Sequence, residues 1–532
     1  MRQIMNKMKI SKSDYVLGIK CEHALWLKKH RHELMDAPKN EMILKQGTEV
    51  GLRAQEYFKN GTKIDEELWT AEGLEAALLE TKKAMNSIVF REYYENARGD
   101  EQIDSNDESD AIYEATAMTG NREYCAVDIL ENNHDGTWNL IEVKSTTTLK
   151  DKGIGPNGGV QQDQHLVDAS FQRYVLETAG IKIKKCFIMI LNKEYVKKGE
   201  LDIKQLFKKE DVTDKLHDMQ HVKRELDRLH AFLAQPEIRR AITKRHCKNM
   251  YYDCPFMGHC WKNIPKFSVF NAFTTNSRPE NCDQLYERYE TADMNVITET
   301  PSAGLKKIAT ECFREDLDNS DTEKLREFID GLEYPLYFLD YEAMAPAIPI
   351  LDGTHPYKTV CFQFSLHIVD SPDAAPRHRG YLHDKPGTDP RPELINKLID
   401  YCGEKGSILT YTSYEKTQTT KMAEDFPDRA DELRAIIARF VDLAAPFQKG
   451  YIYSRKQNGF YSVKKTLPAF TDMSYADLNI TDGMKAASLY TDFANGNMTP
   501  DEAQTMRTDL WDYCERDTIA MVDLLNVIKK NC

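Results

Sequence analysis

Two apolar segments joined by a short polar turn constrain the fold of this chain more than any other feature. Residues 123–144 contain EYCAVDIL and WNLIEVK, and the NNHDGT between them has the composition of a hairpin turn. Side chains alternate between the two faces of a strand, so Glu142 and Lys144 share one face and the apolar residues beside them take the other. The sequence therefore predicts an antiparallel hairpin that carries a carboxylate and an ammonium group side by side.

The predicted hairpin also brings Asp128, near the end of its first strand, next to Glu142 and Lys144. Two carboxylates can bind a hard divalent cation such as Mg²⁺ or Mn²⁺ through oxygen ligands. Such a metal lowers the pKa of a bound water, and a lysine orients that water or offsets developing charge. Glu114, in the preceding segment IYEAT, is a candidate for a further ligand or a supporting contact. The alternative interpretation of this short pattern is an ordinary salt-bridged strand.

The order of predicted elements indicates an α/β fold. After the hairpin come a predicted helix, HLVDASFQRYVLETAG, and an apolar strand, KKCFIMILN, which is the order typical of an α/β core. A second α/β unit begins with PLYFLDYEA. A chain of 532 residues is too long for one ordinary core. We therefore predict a first domain at residues 1–265, a polar helical connector at 266–332 and a second domain at 333–532.

The second predicted domain contains another set of acidic residues. PLYFLDYEA ends in Asp340 and Glu342, which share one face of a strand, and ILTYTSYEK ends an apolar strand in Glu415. Near the C-terminus, Tyr513 and Asp517 are four residues apart and therefore lie on one face of a predicted helix. Four acidic ligands of this kind hold two metal ions about 4 Å apart, an arrangement that promotes phosphodiester hydrolysis. We predict that Tyr513 positions the attacking water.

Four cysteines have the chemistry of a metal or cluster site. Cys247, Cys254 and Cys260 lie within 14 residues, and Cys21 is far upstream in GIKCEHALWLKK. Their thiolates suit either an iron–sulfur cluster or Zn²⁺, and the alternative is a group of buried structural thiols. No run approaches the roughly 20 apolar residues that cross a bilayer, so we expect a cytoplasmic protein with no membrane partner. In that compartment a disulfide framework is not expected.

The first half resembles the iron–sulfur branch of the RecB-like PD-(D/E)XK nucleases. In that family the strands carrying D…E-x-K are followed by a helix bearing a glutamine, and here Gln172 lies four residues after Asp168 on the predicted helix. The resemblance implies a [4Fe–4S] cluster, held by the four cysteines, that joins the two ends of the nuclease domain. One departure is the absence of histidine from QGTEVGLRAQEYF, for which Glu49, Arg53 or Glu114 is a candidate replacement.

The second half resembles the DnaQ-like 3′→5′ exonucleases of the DEDDy type, which have a ribonuclease H-like fold. The resemblance rests on the ordered D-x-E, the acid after a strand and Y-x-x-x-D, and on SVKKTLPAF after the second motif. One departure is Glu415, where that superfamily normally has aspartate, and Asp442 is the alternative ligand. Together the halves resemble a bacterial fusion family that joins an iron–sulfur RecB-like nuclease to a ribonuclease H-like exonuclease.

These resemblances imply a metal-dependent nuclease that acts on DNA, single-stranded or from ends, in repair or antiviral defence. The alternatives are an RNA exonuclease with a binding-only first half, and a nucleic-acid-binding scaffold with decayed sites. The net charge of −14 is unusual for a nucleic-acid-binding protein, although YSRKQNGFYSVKK interleaves cationic and aromatic residues. The sequence contains no G-x-x-x-x-G-K-[ST] loop, so unwinding requires a helicase or another defence or repair partner.

Overall fold

The structure, a computed structural model, forms two compact units. It describes residues 8–37, 41–58, 60–98, 110–149, 153–154, 160–161, 163–238, 242, 247 and 254–532. The first unit comprises Met1–Ile242, His246–Lys262 and Ala347–Tyr357, and the second comprises Thr243–Arg245, Asn263–Pro346 and Lys358–Cys532. The helical segment at 266–332 thus belongs to the second unit, and residues 347–357 belong to the first.

The first unit is a mixed sheet with helices packed on it. Its strands are β1 (Ile10–Ser11), β2 (Asn60–Lys63), β3 (Asp110–Met118), β4 (Glu123–Asn132), β5 (Trp138–Lys144), β6 (Gly153–Ile154), β7 (Val160–Gln161), β8 (Ile183–Leu191) and β9 (Phe207–Asp211). Its helices are α1 (Lys12–Lys20), α2 (Glu22–His30), α3 (Glu41–Gln55), α4 (Ala71–Arg98), α5 (Gln164–Thr178), α6 (Ile203–Leu206), α7 (Met219–Leu233) and α8 (Met257–Trp261).

The main sheet of this unit confirms the predicted hairpin. Its strand order is β2-β3-β4-β5-β8-β9, with β1 beside β4, and β4 and β5 are antiparallel with Ile129 opposite Ile141. Helix α5 connects β5 to β8, which run parallel, so the strand–strand–helix–strand order is also confirmed. Strand β5 is buried from Trp138 to Glu142 and becomes partly exposed at Val143 and Lys144. The end of β5 that carries Glu142 and Lys144 therefore lies where the strand changes from buried to partly exposed.

The second unit contains a five-stranded sheet and a separate two-stranded sheet. Its strands are β10 (Asn319–Ser320), β11 (Leu336–Met344), β12 (Val360–Val369), β13 (Arg377–Leu382), β14 (Ile408–Thr410), β15 (Phe440–Asp442) and β16 (Ile452–Tyr453). Its helices are α9 (Val269–Ala272), α10 (Cys282–Tyr289), α11 (Gly304–Glu315), α12 (Thr322–Asp330), α13 (Arg391–Cys402), α14 (Tyr414–Asp425), α15 (Ala430–Ile437), α16 (Ala445–Gln448), α17 (Val463–Phe470), α18 (Gly483–Ala494) and α19 (Pro500–Lys530).

The order of the five-stranded sheet is β13-β12-β11-β14-β15, with the first three strands antiparallel and the last three parallel. Strand β12 is buried at every position because α13 and α19 pack against it. Helix α19 begins at a capping box in which Thr499 accepts a hydrogen bond from the backbone of Glu502. This long helix crosses β11 and β12 and thereby carries its Y-x-x-x-D motif to the sheet.

Both units are mixed α/β structures, as the sequence predicted. Within the part of the chain that the structure describes, every helix is too short or too polar to cross a membrane.

Candidate active sites

The hairpin brings the predicted residues of the first site together. Asp128, on β4, accepts a hydrogen bond from the backbone amide of Val143 through Oδ2, at 2.7 Å. Lys144 donates hydrogen bonds to Glu142, on the same strand, and to Oδ2 of Asp168, at 2.7 Å. The carboxylate–lysine pair is therefore part of a larger cluster and is not an isolated surface ion pair.

Gln172 connects this cluster to helix α5. Its Nε2 donates to Oε2 of Glu142 at 2.6 Å and to Oδ1 of Asp168 at 2.9 Å. The side chain is fully buried, and its Oε1 has no hydrogen-bond partner. Asp168 and Gln172, which share one face of α5, thus both reach the site. Oε1 of Gln172 remains available there as an acceptor for a ligand.

Lys12 is a member of the first site that sequence reasoning missed. Its Nζ lies 3.1 and 3.2 Å from the two carboxylate oxygens of Glu142 and 3.7 Å from Oδ1 of Asp128. Lys12 is the first residue of α1, which Ser11 caps in a capping box with Asp14. The S-x-x-D pattern predicts where that helix starts, but nothing local indicates that its first lysine reaches a carboxylate 130 residues away.

The surroundings of the two central carboxyls move their pKa values in opposite directions. Although burial opposes it, Lys12 and Lys144 hold the pKa of Glu142 well below its usual range. Burial and the charge of Glu142 raise the pKa of Asp128 to about 7. Two neighbouring carboxyls whose pKa values are shifted in opposite directions are common in hydrolytic sites.

Glu114 lies beside Asp128 in an unusual backbone conformation. The β3–β4 register pairs Tyr113 with Ile129 and Ala115 with Val127, so Glu114 interrupts the ladder opposite Asp128. Its φ of +58° is in the left-handed region, which costs a non-glycine residue free energy and occurs often at functional sites. Burial and the charge of Glu142 raise its pKa despite the presence of Lys12. The structure thus brings Glu114 to the site, as predicted.

The other candidate replacements for the missing histidine make different contacts. Glu49 is exposed on α3, and Arg53 donates to Glu56 at 2.8 Å. A histidine nevertheless lies near the site, because His165 is buried at the start of α5, where burial and the charge of Lys144 lower its pKa. Its position at the start of the helix that carries Asp168 and Gln172 was the signal that sequence reasoning overlooked.

The second site assembles the four predicted carboxyls in the second unit. Asp340 and Glu342 lie on β11, and Asp517 lies on α19. Glu415 was predicted at the end of a strand, but β14 already ends at Thr410 and Glu415 occupies the first turn of α14. The prediction of its position was therefore wrong, because Tyr411, Thr412 and Ser413 form a bend between the strand and the helix. The residue nevertheless reaches the cluster, since its charge raises the pKa of Asp340.

The carboxyls of the second site repel one another. Burial and the charges of Asp517 and Glu415 raise the pKa of Asp340 well above its ordinary value, and burial and Asp517 do the same for Glu342. Burial raises the pKa of Glu415 to about 8 and that of Asp517 to about 6. Oε2 of Glu415 is buried without a hydrogen-bond partner. This donor set fits divalent cations, which would offset the charge and use the free oxygen.

Cys514 also reaches the second site and was not predicted. Its Sγ lies 3.6 Å from Oδ2 of Asp340, and donor atoms of Asp340, Glu342 and Cys514 all lie within 4.8 Å of one another. The signal was the i, i+3 spacing between Cys514 and Asp517, which places both on one helical face. The alternative ligand Asp442 instead accepts backbone hydrogen bonds from Thr412 and Ala444, each at 2.9 Å.

Three aromatic or cationic side chains surround the acids. Tyr513 is buried, and burial together with the charge of Asp517 raises its pKa. Tyr475, which sequence reasoning missed, donates a hydrogen bond to Oδ1 of Asp517 at 2.5 Å. The Nζ of Lys464, within SVKKTLPAF, lies 5.6 Å from the centroid of each tyrosine ring. The charge of Lys464 lowers the pKa of Glu342 and of Asp517, against the larger effect of burial.

The segment YSRKQNGFYSVKK (453–465) has the composition of either a nucleic-acid contact or a solvated basic loop, and part of it forms contacts within the second unit. Arg455 forms ion pairs with Asp316 and Asp318. The Nζ of Lys306 donates to the backbone oxygen of Gly459 at 2.8 Å and lies 4.9 Å from the centroid of the Phe460 ring. Phe460 itself is 39% exposed. Lys456, Lys464 and Lys465 are also exposed, so this segment keeps both cationic and aromatic groups accessible.

The four cysteines of the predicted cluster site occupy one neighbourhood of the first unit. Burial, followed by the charges of Cys21, Cys247 and Cys260, raises the pKa of Cys254 to about 12. In the described part of the chain, no three of these sulfur atoms lie within 4.8 Å of one another. The structure therefore brings the thiols of distant segments together in a loose arrangement.

A stability measurement tests the repulsion at the second site. A carboxyl whose pKa is higher in the folded than in the unfolded protein stabilises the fold at pH values below its pKa in the unfolded chain. This stabilisation is lost as the pH rises through its pKa in the folded protein. Glu415 and Asp517 are raised to about 8 and about 6, so we expect the metal-free Tm to fall between pH 5 and 8.5. Glu142 stays ionised over this range because its pKa is lowered, so it adds no slope, whereas Asp128, whose pKa is raised to about 7, adds to the decrease.

Glu415→Gln should make this decrease in Tm shallower in scanning calorimetry with a chelator present. Glu424→Gln, at an exposed position of the same helix, is the matched control and should follow the wild type. Equal slopes for all three proteins would contradict the proposed repulsion.

Comparisons with known proteins give partial matches. Residues 337–462 are similar to a family described as a domain of unknown function, DUF2779. The chain is 26% identical over 252 residues to the uncharacterized protein UU173 of Ureaplasma parvum serovar 3, covering 42% of this chain and 36% of that protein. It is 25% identical over 232 residues to the uncharacterized protein MG366 of Mycoplasma genitalium, covering 39% and 34%.

The matched parts thus amount to about a third of the length of these relatives. No solved structure gives a significant match. The DUF2779 range includes Asp340, Glu342 and Glu415 and ends before Asp517.

Proposed function

We propose that this chain is a metal-dependent nuclease that hydrolyses phosphodiester bonds of DNA at two centres, one in each compact unit. The observation that carries the proposal is the second site, where burial and neighbouring carboxylates raise the pKa values of Asp340 and Glu342 and a buried Glu415 oxygen has no partner. A protein keeps such a costly arrangement when bound cations offset the charge. The proposal includes a PD-(D/E)XK fold for the first unit and a ribonuclease H-like fold for the second, both inferred from the sequence.

In the second centre each element of the fold contributes a group. Divalent ions such as Mg²⁺ or Mn²⁺, when bound, polarise the phosphoryl oxygen and lower the pKa of water. Asp340 and Glu342 on β11, Glu415 on α14 and Asp517 on α19 supply oxygen ligands. Tyr513, one turn before Asp517, is placed to position the attacking water. We propose a 3′→5′ exonuclease activity for this centre, by its resemblance to the DEDDy enzymes.

In the first centre the protein combines carboxylate ligands with fixed cations. Asp128 and Glu142 supply the metal ligands, with Glu114 beside Asp128. Lys144, held by Glu142 and Asp168, orients the attacking water and offsets charge that develops on the phosphate. Gln172 keeps both of those carboxylates in place through its two hydrogen bonds. Lys12 must withdraw from the oxygens that it contacts before a metal ion can use them.

A digestion assay tests the proposed function. The full chain should cleave end-labelled single-stranded DNA with Mg²⁺ or Mn²⁺ and fail to do so with a chelator, while double-stranded DNA and RNA define the preference. The RNA exonuclease would be indicated by three results together: the protein cleaves only RNA, Asp340→Ala abolishes this cleavage, and Lys144→Ala leaves its catalytic rate unchanged. Absence of cleavage of all three substrates, with binding retained, would indicate a scaffold with decayed sites.

We further propose that the four cysteines hold a [4Fe–4S] cluster with a structural role. Thiolates suit either zinc or an iron–sulfur cluster. The resemblance of the first half to the iron–sulfur RecB-like nucleases supports the cluster. The cluster would join Cys21, near the start of the unit, to the segment 247–260 near its end.

We expect anaerobically purified protein to be brown, with broad absorption near about 400 nm. Cys254→Ser should lose this absorption and most of the iron. Cys186→Ser, at a buried cysteine of β8 in the same unit, is the matched control and should keep both. A colourless wild-type protein that contains stoichiometric zinc would contradict the cluster assignment.

A further inference from the structure

The segment 471–482, between α17 and α18, is fastened to the helix that carries Asp517. The guanidinium group of Arg516 donates to both oxygens of Asp477, at 3.0 and 2.9 Å, and also to the backbone oxygen of Ser474. Further along, Nδ2 of Asn479 donates to Oδ1 of Asp509 at 2.9 Å. Bidentate arginine–carboxylate pairs fix geometry as well as contributing energy. The segment is therefore held in one position against α19.

Tyr475 lies between Ser474 and Asp477, the two residues of the segment that Arg516 contacts. Only 8% of its surface is exposed, although it belongs to a connecting segment without regular structure. Its hydroxyl donates to Oδ1 of Asp517 at 2.5 Å, a length typical of hydrogen bonds to ionised groups. Arg516 and Asp517 are consecutive, so one turn of α19 contacts the segment through both side chains. The ion pair of Arg516 thus fixes the position from which Tyr475 reaches Asp517.

A carboxylate can offer its two oxygens to a metal in several orientations, and a hydrogen bond to one oxygen selects among them. Groups that hydrogen-bond to a ligating carboxylate typically contribute a factor of about 10 to 100 in metal affinity. Asp517 is the one ligand of the second site that does not come from the sheet or from α14, so its orientation depends on α19 and on the groups that contact it.

We propose that Tyr475 is a positioning residue of the second centre: it holds Oδ1 of Asp517 and so fixes the orientation in which this carboxylate would meet a divalent cation. This inference rests on the proposed metal-dependent function of that centre. It assigns separate tasks to two neighbouring tyrosines, whose ring centroids are 6.2 Å apart. Tyr475 orients the carboxylate of Asp517, and Tyr513, which also hydrogen-bonds to that carboxylate, is the tyrosine assigned to the water.

The test is a Mn²⁺ titration of the full chain followed by electron paramagnetic resonance, which reports binding independently of catalysis. The part of the Mn²⁺ binding that the Asp340→Asn variant loses is assigned to the second centre. We expect Tyr475→Phe to weaken this binding by about 10-fold or more without changing the fold. Tyr490→Phe, at another buried tyrosine of the same unit that stacks on Phe362 at 3.7 Å, should bind Mn²⁺ like the wild type.

The outcomes separate this inference from the proposed function. If Asp340→Asn loses one bound Mn²⁺ or more and Tyr475→Phe binds like the wild type, the role of Tyr475 is overturned while the metal centre stands. If Asp340→Asn loses no Mn²⁺, the proposed second centre itself is overturned. Should Tyr475→Phe fail to fold, Asp477→Asn provides the test at an exposed position, and unchanged Mn²⁺ affinity there overturns the inference.

Discussion

Asp340→Asn is expected to reduce metal-dependent cleavage by the second unit by about 10³-fold. Metal ions contribute several kcal/mol to the stabilisation of such a transition state, and each 1.36 kcal/mol corresponds to a factor of ten in rate. Asparagine preserves the shape of the side chain but removes the charge that the cations require. The effect should be measured as the rate of shortening of 5′-end-labelled single-stranded DNA with saturating Mn²⁺.

The same substitution should stabilise the metal-free protein at pH 8. The pKa of Asp340 is raised by burial and by three neighbouring carboxyls, so removing its charge relieves repulsion. A loss of activity combined with a higher Tm separates removal of a ligand from general damage to the fold. Asp370→Asn, at a surface aspartate of the same unit that pairs with Arg377 at 3.0 Å, is the matched control. A lower Tm for Asp340→Asn would contradict the proposed charge repulsion.

Glu142→Gln should have an equally large effect on cleavage by the first unit but the opposite effect on stability. Glu142 is 1% exposed and accepts hydrogen bonds from Lys12, Lys144 and Gln172. Neutralising it leaves two lysines in a buried cluster with less negative charge to balance them. Removing one partner of a buried ion pair typically costs about 3–5 kcal/mol. We expect a loss of this order in the free energy of unfolding, measured with urea.

The control for this experiment is Glu131→Gln, because Glu131 pairs with Lys209 at 3.0 Å on the same sheet but lies outside the site. It should keep the nuclease activity and lose little stability. An unchanged free energy of unfolding for Glu142→Gln would mean that Lys12 and Lys144 do not depend on this carboxylate. The two centres therefore differ in a measurable way: one is neutralised by lysines, and the other accumulates negative charge.

The sequence predicted the parts of the sites that follow from local periodicity. Alternation along β5 places Glu142 and Lys144 on one face, and helical spacing places Asp168 and Gln172 together, because both patterns are properties of the backbone. Contacts between distant segments had no such signal. Lys12 and Tyr475 reach their carboxylates across 130 and 42 residues, respectively. Their positions depend on how α1 and the segment 471–482 pack.

The position of Glu415 illustrates a different difficulty. The apolar run ILT predicts a strand, but the residues YTS that follow permit either a longer strand or a turn into a helix. The structure ends β14 at Thr410 and starts α14 at Tyr414, with Thr412 at a φ of +78°. A left-handed threonine is uncommon, so no propensity argument would have placed the turn there. The residues 347–357 likewise belong to the first unit for reasons of packing.

The central claim is that two independent metal-dependent centres hydrolyse nucleic acid. The most direct measurement compares four full-length proteins on 5′-end-labelled single-stranded DNA with Mn²⁺: wild type, Asp128→Asn, Asp340→Asn and the double variant. We predict that each single variant retains the products of the remaining centre and that the double variant forms none. Cleavage by the double variant at the wild-type rate would contradict the account.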